Sequence, residues 1–246
     1  MAMPKKSLRF MQAWTCGQIT DMAVAATIQA KKPNRQTRFK PGWWKVWALY
    51  VVGFIPALWA FYLGATDQLG ADPVKSFEHM LGLWALRLLI LTLLVTPIRD
   101  LTGISLLRYR RALGLLAFYY VLMHFAVYMV LDQALNLSTV IADIVKRPFI
   151  TIGMISLALL VPLAITSNNW SIRKLGRRWT TLHKLVYVAI AGGAIHFLMS
   201  VKSWPAEPVI YALIVAALLL WRVVRPLFKG RRQIKPQREA AVMLKK

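Results

Sequence analysis

The chain has 246 residues, 58% of them hydrophobic, with a mean hydropathy of +0.50. Soluble domains contain roughly 45–50% apolar residues, so composition excludes an ordinary globule and a disordered chain. The 32 Lys+Arg against 9 Asp+Glu give a formal charge of +23, but these residues cluster between long apolar stretches, which argues against nucleic acid as a partner.

In chain order, residues 1–42 form a basic extension. Its mildly apolar part, 10–30, is interrupted by Gln12, Gln18, Asp21 and Gln29, and reads as a cytoplasmic extension or an interfacial helix. It lacks the compact apolar core and small-residue cleavage site of a signal peptide. The single Cys16 leaves no intramolecular disulfide and reads as an unpaired thiol.

A helix needs about 20 mostly apolar residues to span the bilayer core. Six stretches qualify: 43–63, 77–98, 112–131, 149–166, 181–201 and 208–224. The third carries no charged residue, the second contains Glu78, His79 and Arg87, and the fourth holds Pro162, where a kink is expected. No period-2 alternation over ~10-residue segments suggests a barrel, and no longer internal repeat stands out. The expected fold is an all-α six-transmembrane-helix bundle spanning 43–225, followed by a basic tail, 226–246. Trp43, Trp44, Trp47, Trp179, Trp204 and Trp221 fall near the span ends and read as interfacial anchors.

Orientation follows from the basic residues. The N-terminal extension, the loops 99–111 and 167–180 and the tail hold 26 of the 32 Lys and Arg, and the alternate loops hold 4. The positive-inside rule then places both termini in the cytoplasm.

All four histidines, His79, His124, His183 and His196, fall within or at the edge of spans. Intramembrane ionisable or metal-ligating side chains mark function by default. His124 and His196 lie about 18 and 22 Å from the cytoplasmic ends of parallel helices, at like depth in the outer half. Zinc favours three or four close ligands, often with Cys or carboxylate, whereas haem iron takes one axial ligand from each side. No Cys-x-x-Cys-His attachment motif is present, so a haem would be non-covalent. His183 lies near the opposite face with no histidine partner at its depth. Arg110, about 21 Å below His124 and ~40° round the same helix, could approach that inner site as an unusual ligand or a propionate counter-ion, although residues such as Arg108, Arg110 and Arg111 more often set topology and meet lipid headgroups. A 13-residue step rotates an ideal helix by ~220°, so His183 and His196 do not share a stripe unless Gly192 and Gly193 permit a bend. Arg87 is costly if unpaired in the membrane; its candidate partners are a propionate or flavin phosphate, and the structural alternative is pairing with Glu78 or snorkelling.

Several strings then carry a resemblance: Leu-Gly-Ala-Asp-Pro-Val-Lys at 69–75, Thr-Pro-Ile-Arg at 96–99 and Arg-Arg-Ala-Leu-Gly-Leu at 110–115. Lys-Arg-Pro at 146–148, Leu-Gly-Arg-Arg-Trp at 175–179, Leu-His-Lys-Leu-Val-Tyr at 182–187, and His124 and His196 continue it. Across about 43–225 the chain resembles the haem-binding membrane subunits of bacterial periplasmic methionine-sulfoxide reductase systems, within the ferric-reductase-like transmembrane group. The resemblance implies electron transfer across the inner membrane through haem b, one or two per chain, and an association with FMN. It implies quinol or a cytosolic flavin reductase as donor, and a periplasmic molybdopterin-containing catalytic subunit as acceptor. It also implies His124, His183 and His196 as haem ligands. The wider group has two complete bis-histidine pairs, and here the inner site lacks its second histidine. The outer loops 64–76, 132–148 and 202–208 are the expected docking surface. Three other expectations compete: a self-contained ferric reductase, for which only 22 residues follow Val224 and no dinucleotide fingerprint appears; a cofactor-free transporter or proton relay using the histidines and Arg87; and a scaffold.

Overall fold

The structure, a computed structural model, describes residues 42–201 and 205–243, with side chains described for 44–201 and 205–226. Cys16, the rest of the extension, Lys202 and Trp204 lie outside the described residues. The described residues from Trp44 onward form one compact unit. Among the described residues there is no strand, and six helices are long and apolar enough to cross a membrane.

The first span is α1, Trp43–Ala65. It turns much of its surface outward, with Trp47, Val51, Leu58 and Phe61 more than half exposed, as lipid-facing residues do. Its tie to the bundle is specific. The hydroxyl of fully buried Tyr120 donates to the Gly53 carbonyl at 2.7 Å and accepts from the Ala57 amide at 3.0 Å. Pro56 sits between them in the helix, where neighbouring side chains commonly re-satisfy the disturbed backbone.

Helix α2, Pro73–Thr102, overruns the 77–98 stretch at both ends. Asp72 caps it by accepting from the Lys75 amide at 3.2 Å, Pro73 occupies the first turn, and Gly103 ends it at φ 75°, a left-handed conformation that suits glycine. It packs along α3, Leu107–Val127, which continues as a π-helical turn, Tyr128–Asp132. The loop expected at 132–148 instead contains a short helix, α4, Leu137–Lys146, capped by Asn136. Its Val140 packs with Tyr128 and Ile150 in a small cluster of its own.

Helix α5, Pro148–Ile165, packs along the fifth span. That span is built from α7, Arg177–Leu182, and α8, Leu185–Ser200, after a short α6, Asn169–Leu175. The interruption falls at His183–Lys184 and not at Gly192 and Gly193, which lie inside the continuous α8. A Cβ at Gly192 would stand 2.3 Å from the Ser156 hydroxyl, so that glycine serves the close crossing of α5 and α8. Helix α9, Ala206–Met243, packs on α8 and α2, and its span portion ends near Pro226. Arg225 makes a two-point pair with Asp100 at the end of α2, through Nε to one carboxylate oxygen and Nη2 to the other, the latter at 2.9 Å.

Candidate functional site

The imidazoles of His124 on α3 and His196 on α8 meet with ring centroids 6.2 Å apart and planes at 80°. A metal–imidazole bond of about 2.0–2.1 Å, plus roughly 1.1 Å from nitrogen to ring centre, puts two axial imidazoles about 6.3 Å apart across one metal. The observed spacing matches that separation.

Both rings are held in the same way. His124 Nδ1 lies 2.8 Å from the backbone carbonyl of Glu78, and His196 Nδ1 lies 2.7 Å from that of Phe149. A carbonyl oxygen only accepts, so these partners assign the hydrogen to Nδ1 in each ring and leave the Nε2 lone pair for a metal. A carbonyl that fixes tautomer and ring orientation is the usual outer support of a ligating histidine.

Such support requires access to the carbonyl of a helix. In an α-helix the side chain at i+4 leans back over the carbonyl of residue i. The residues four beyond Glu78 and Phe149 are Gly82 and Gly153. A Cβ at Gly82 would stand 3.1 Å from the His124 ring, and one at Gly153 would stand 2.9 Å from His196 Nδ1. The two halves of the site thus repeat one unit: a helix carbonyl, a glycine four residues on, and an imidazole from the neighbouring helix. The Glu78 carboxylate also reaches within 3.9 Å of His124 Nε2.

Among the described residues, no three His, Cys, Asp or Glu side chains converge on a common point. Two imidazoles alone do not complete the coordination of a bare ion, but they complete that of an iron whose other four ligands come from a porphyrin. The donor set therefore fits a haem.

His183 occupies different surroundings. It lines a cavity of about 420 Å³ near the basic end of the bundle, together with Arg110, Arg111, Lys184, Thr92 and Tyr187. Its ring stacks on Trp179 with centroids 4.0 Å apart, and its Nε2 lies 3.2 Å from Thr166 Oγ1. That hydroxyl already donates to the Pro162 carbonyl at 2.6 Å, so His183 Nε2 is the donor and its lone pair resides on Nδ1. Trp179 Nε1 donates to the Thr166 carbonyl at 2.9 Å, which gives this indole a place in the site beyond anchoring. Arg110 and His183 thus share one cavity. The imidazole at 183 does not offer the Nε2 lone pair that the other two do.

Arg87 belongs to neither place. Its Nε donates to the Tyr211 hydroxyl at 2.7 Å, and the guanidinium lies against the rings of Trp84 and Tyr211, at 5.0 and 5.8 Å. It does not pair with Glu78. His79 is exposed, with its ring 5.6 Å from that of Phe197.

The sequence reading missed Gly82, Gly153, Thr166 and Tyr211. A signal for the glycines was present: each lies inside an apolar helical stretch, where a glycine otherwise weakens the helix. The carbonyls of Glu78 and Phe149 have no signal, since main-chain acceptors are common to every residue.

A six-span helical bundle with paired imidazoles inside it is the architecture of a membrane redox carrier, and residues 81–194 match the family described as ferric reductase like transmembrane component. More particularly, the chain belongs to the family of protein-methionine-sulfoxide reductase heme-binding subunits, MsrQ. Relatives so named in Brucella ovis, Brucella canis and Brucella melitensis biotype 2 are 74% identical to it over 225 residues, covering 92% of this chain and 100% of theirs. No solved structure matches the chain.

Proposed function

We propose that this multi-pass membrane protein carries electrons across the bacterial inner membrane through haem b bound by His124 and His196. The observation that carries the proposal is the 6.2 Å imidazole pair with both Nδ1 atoms engaged by carbonyls. Bound there, haem supplies one-electron iron chemistry at a potential set by ligands, hydrogen bonds and burial. The protein's part is positional. His124 and His196 present Nε2, the carbonyls of Glu78 and Phe149 hold the rings, and the packed helices exclude water. A proton relay would need ring nitrogens free to exchange hydrogens; here two are committed to carbonyls that only accept.

At the basic end, the cavity of His183, Arg110 and Trp179 is the candidate site for a second cofactor. Arg110, Arg111 and Lys184 supply cations for a phosphate or propionate, and Trp179 and Tyr187 supply ring surface for a planar group. FMN suits this set, and a second haem with His183 as one ligand is the alternative for the same space. Quinol or a cytosolic flavin reductase supplies the electrons. A periplasmic molybdopterin-containing subunit, which reduces methionine sulfoxide in oxidised proteins, receives them at the outer loops. The skew of basic residues supports this orientation, with both termini in the cytoplasm.

The test is optical. Purified protein should show a reduced b-type haem band, and His124→Ala and His196→Ala should each abolish the low-spin signal of that haem. His183→Ala and Arg110→Ala should spare it and lower the content of the second cofactor, read as haem stoichiometry and as released flavin. A protein without any haem band would sink the proposal.

A further inference from the structure

The one charged side chain of α2 between Glu78 and Arg99 is Arg87. It stands 14 residues from Pro73 and 15 from Thr102, so about 21–22 Å from each end of the helix, near the middle of a hydrocarbon core about 30 Å thick. An arginine there is expensive, and it persists where something uses it. The Tyr211 hydroxyl engages Nε alone. Among the described residues, neither Nη makes a hydrogen bond, so the fork that makes arginine a two-point donor is open.

Its direction narrows what fills that fork. Arg87 is five residues beyond Gly82, about 140° round α2 from the face that receives His124. It points instead to α9, and its surroundings are rings: Trp84 at 5.0 Å, Tyr211, then Phe197 with its ring 6.2 Å from that of Tyr211, and His79 packed on Phe197. Phe197 follows His196 directly in the chain. This patch therefore joins a mid-membrane hydrogen-bond donor to the residue beside an imidazole of the proposed haem. A lipid phosphate lies too far away, at the bilayer surface. What meets both the donor and the rings at this depth is a neutral, membrane-dissolved ring that carries oxygen acceptors.

We propose that Arg87, Trp84, Tyr211 and Phe197 form the binding site for a membrane quinol that reduces the His124–His196 haem. The inference rests on the quinol-donor reading above. Arg87 Nη donates to a quinol oxygen and the rings hold its head. Two O–H bonds break and the two C–O bonds become carbonyls. The two electrons pass one at a time to ferric iron, giving two ferrous equivalents per quinol. The two protons leave toward the outer end of α2, where exposed His79 lies about two turns from Arg87.

Haem-loaded protein in vesicles is mixed with a short-chain quinol or with dithionite, and haem reduction is followed optically. Arg87→Gln should slow reduction by quinol at least about tenfold, or raise the quinol concentration for half-maximal rate by that factor, as loss of a charge-assisted hydrogen bond implies. Haem content, band position and dithionite reduction should stay unchanged. Tyr211→Phe keeps the ring, removes the Nε partner and should slow the quinol reaction several-fold, so it serves if Arg87→Gln does not accumulate. Equal quinol rates in wild type and variants overturn this site and leave the donor reading standing. Loss of haem from Arg87→Gln overturns it in favour of a propionate contact. A wild-type protein that quinol does not reduce removes the donor reading itself.

Discussion

An imidazole can lean on the flank of a helix only where the helix leaves a carbonyl uncovered, and at two places here a glycine leaves it so. Replacing the hydrogen of Gly153 by a methyl would set carbon 2.9 Å from His196 Nδ1, and the same change at Gly82 would set it 3.1 Å from the His124 ring. The first distance requires a shift of the ring and the second a smaller adjustment. Gly153→Ala is therefore expected to lower haem occupancy and disturb the low-spin spectrum, with Gly82→Ala milder in both; haem stoichiometry and optical spectra of the two variants check the order. At this scale the sequence showed part of the site. His124 and His196 could be paired from depth alone, because position along a helix converts directly to height in a bilayer. What orients them could not be read, because one partner is main chain and the other is the absence of a side chain. Arg87 was visible as an anomaly, but its neighbour Tyr211 is 124 residues away and on another helix.

The six spans were legible as elements, since a 20-residue apolar stretch has few alternatives in a membrane. Their ends were not, because caps and not hydropathy set them: Asp72 and Pro73 start α2 and Gly103 stops it. The helix α4 inside the 132–148 loop went unread; at 10 residues it is too short to register as a span, and its apolar side is only one face. The break in the fifth span at His183–Lys184 was also hidden, and Gly192, one of the two glycines that suggested a bend, serves a helix crossing instead. Tyr120 governs how α1 attaches. Interhelical hydrogen bonds in bilayers are worth about 0.6–2 kcal/mol, so Tyr120→Phe should destabilise the fold by that order while leaving the rings of Phe54 and Tyr120 stacked. Thermal unfolding in detergent measures the loss, and an unchanged midpoint would mean that α1 is held by packing alone.

Across the whole molecule, the histidine pair and the Arg110–His183 cavity lie at different heights along the spans. The cavity lies on the side of the basic loops and the histidine pair lies toward the opposite ends of the helices. Under the proposed function, their stacking would give a route for charge along the membrane normal, and the skew of Lys and Arg would set its direction. Single cysteines placed in the 99–111 loop and in the tail of a Cys16→Ser chain should react with an impermeant maleimide in inverted vesicles and stay unlabelled in intact cells. Cysteines in α4 should do the opposite. The reverse pattern would invert the proposed direction of electron flow.

The repeated carbonyl–glycine–imidazole unit also bears on how the protein tolerates change. What steers each histidine is drawn from the polypeptide backbone, which a codon change cannot delete. Glu78→Gln or Phe149→Leu alters a side chain yet leaves the steering oxygen in place, so ring orientation should survive drift at these two positions. Vulnerability concentrates on four sites, the two histidines and the two glycines, and variation tolerated elsewhere along those faces would be expected to stop there.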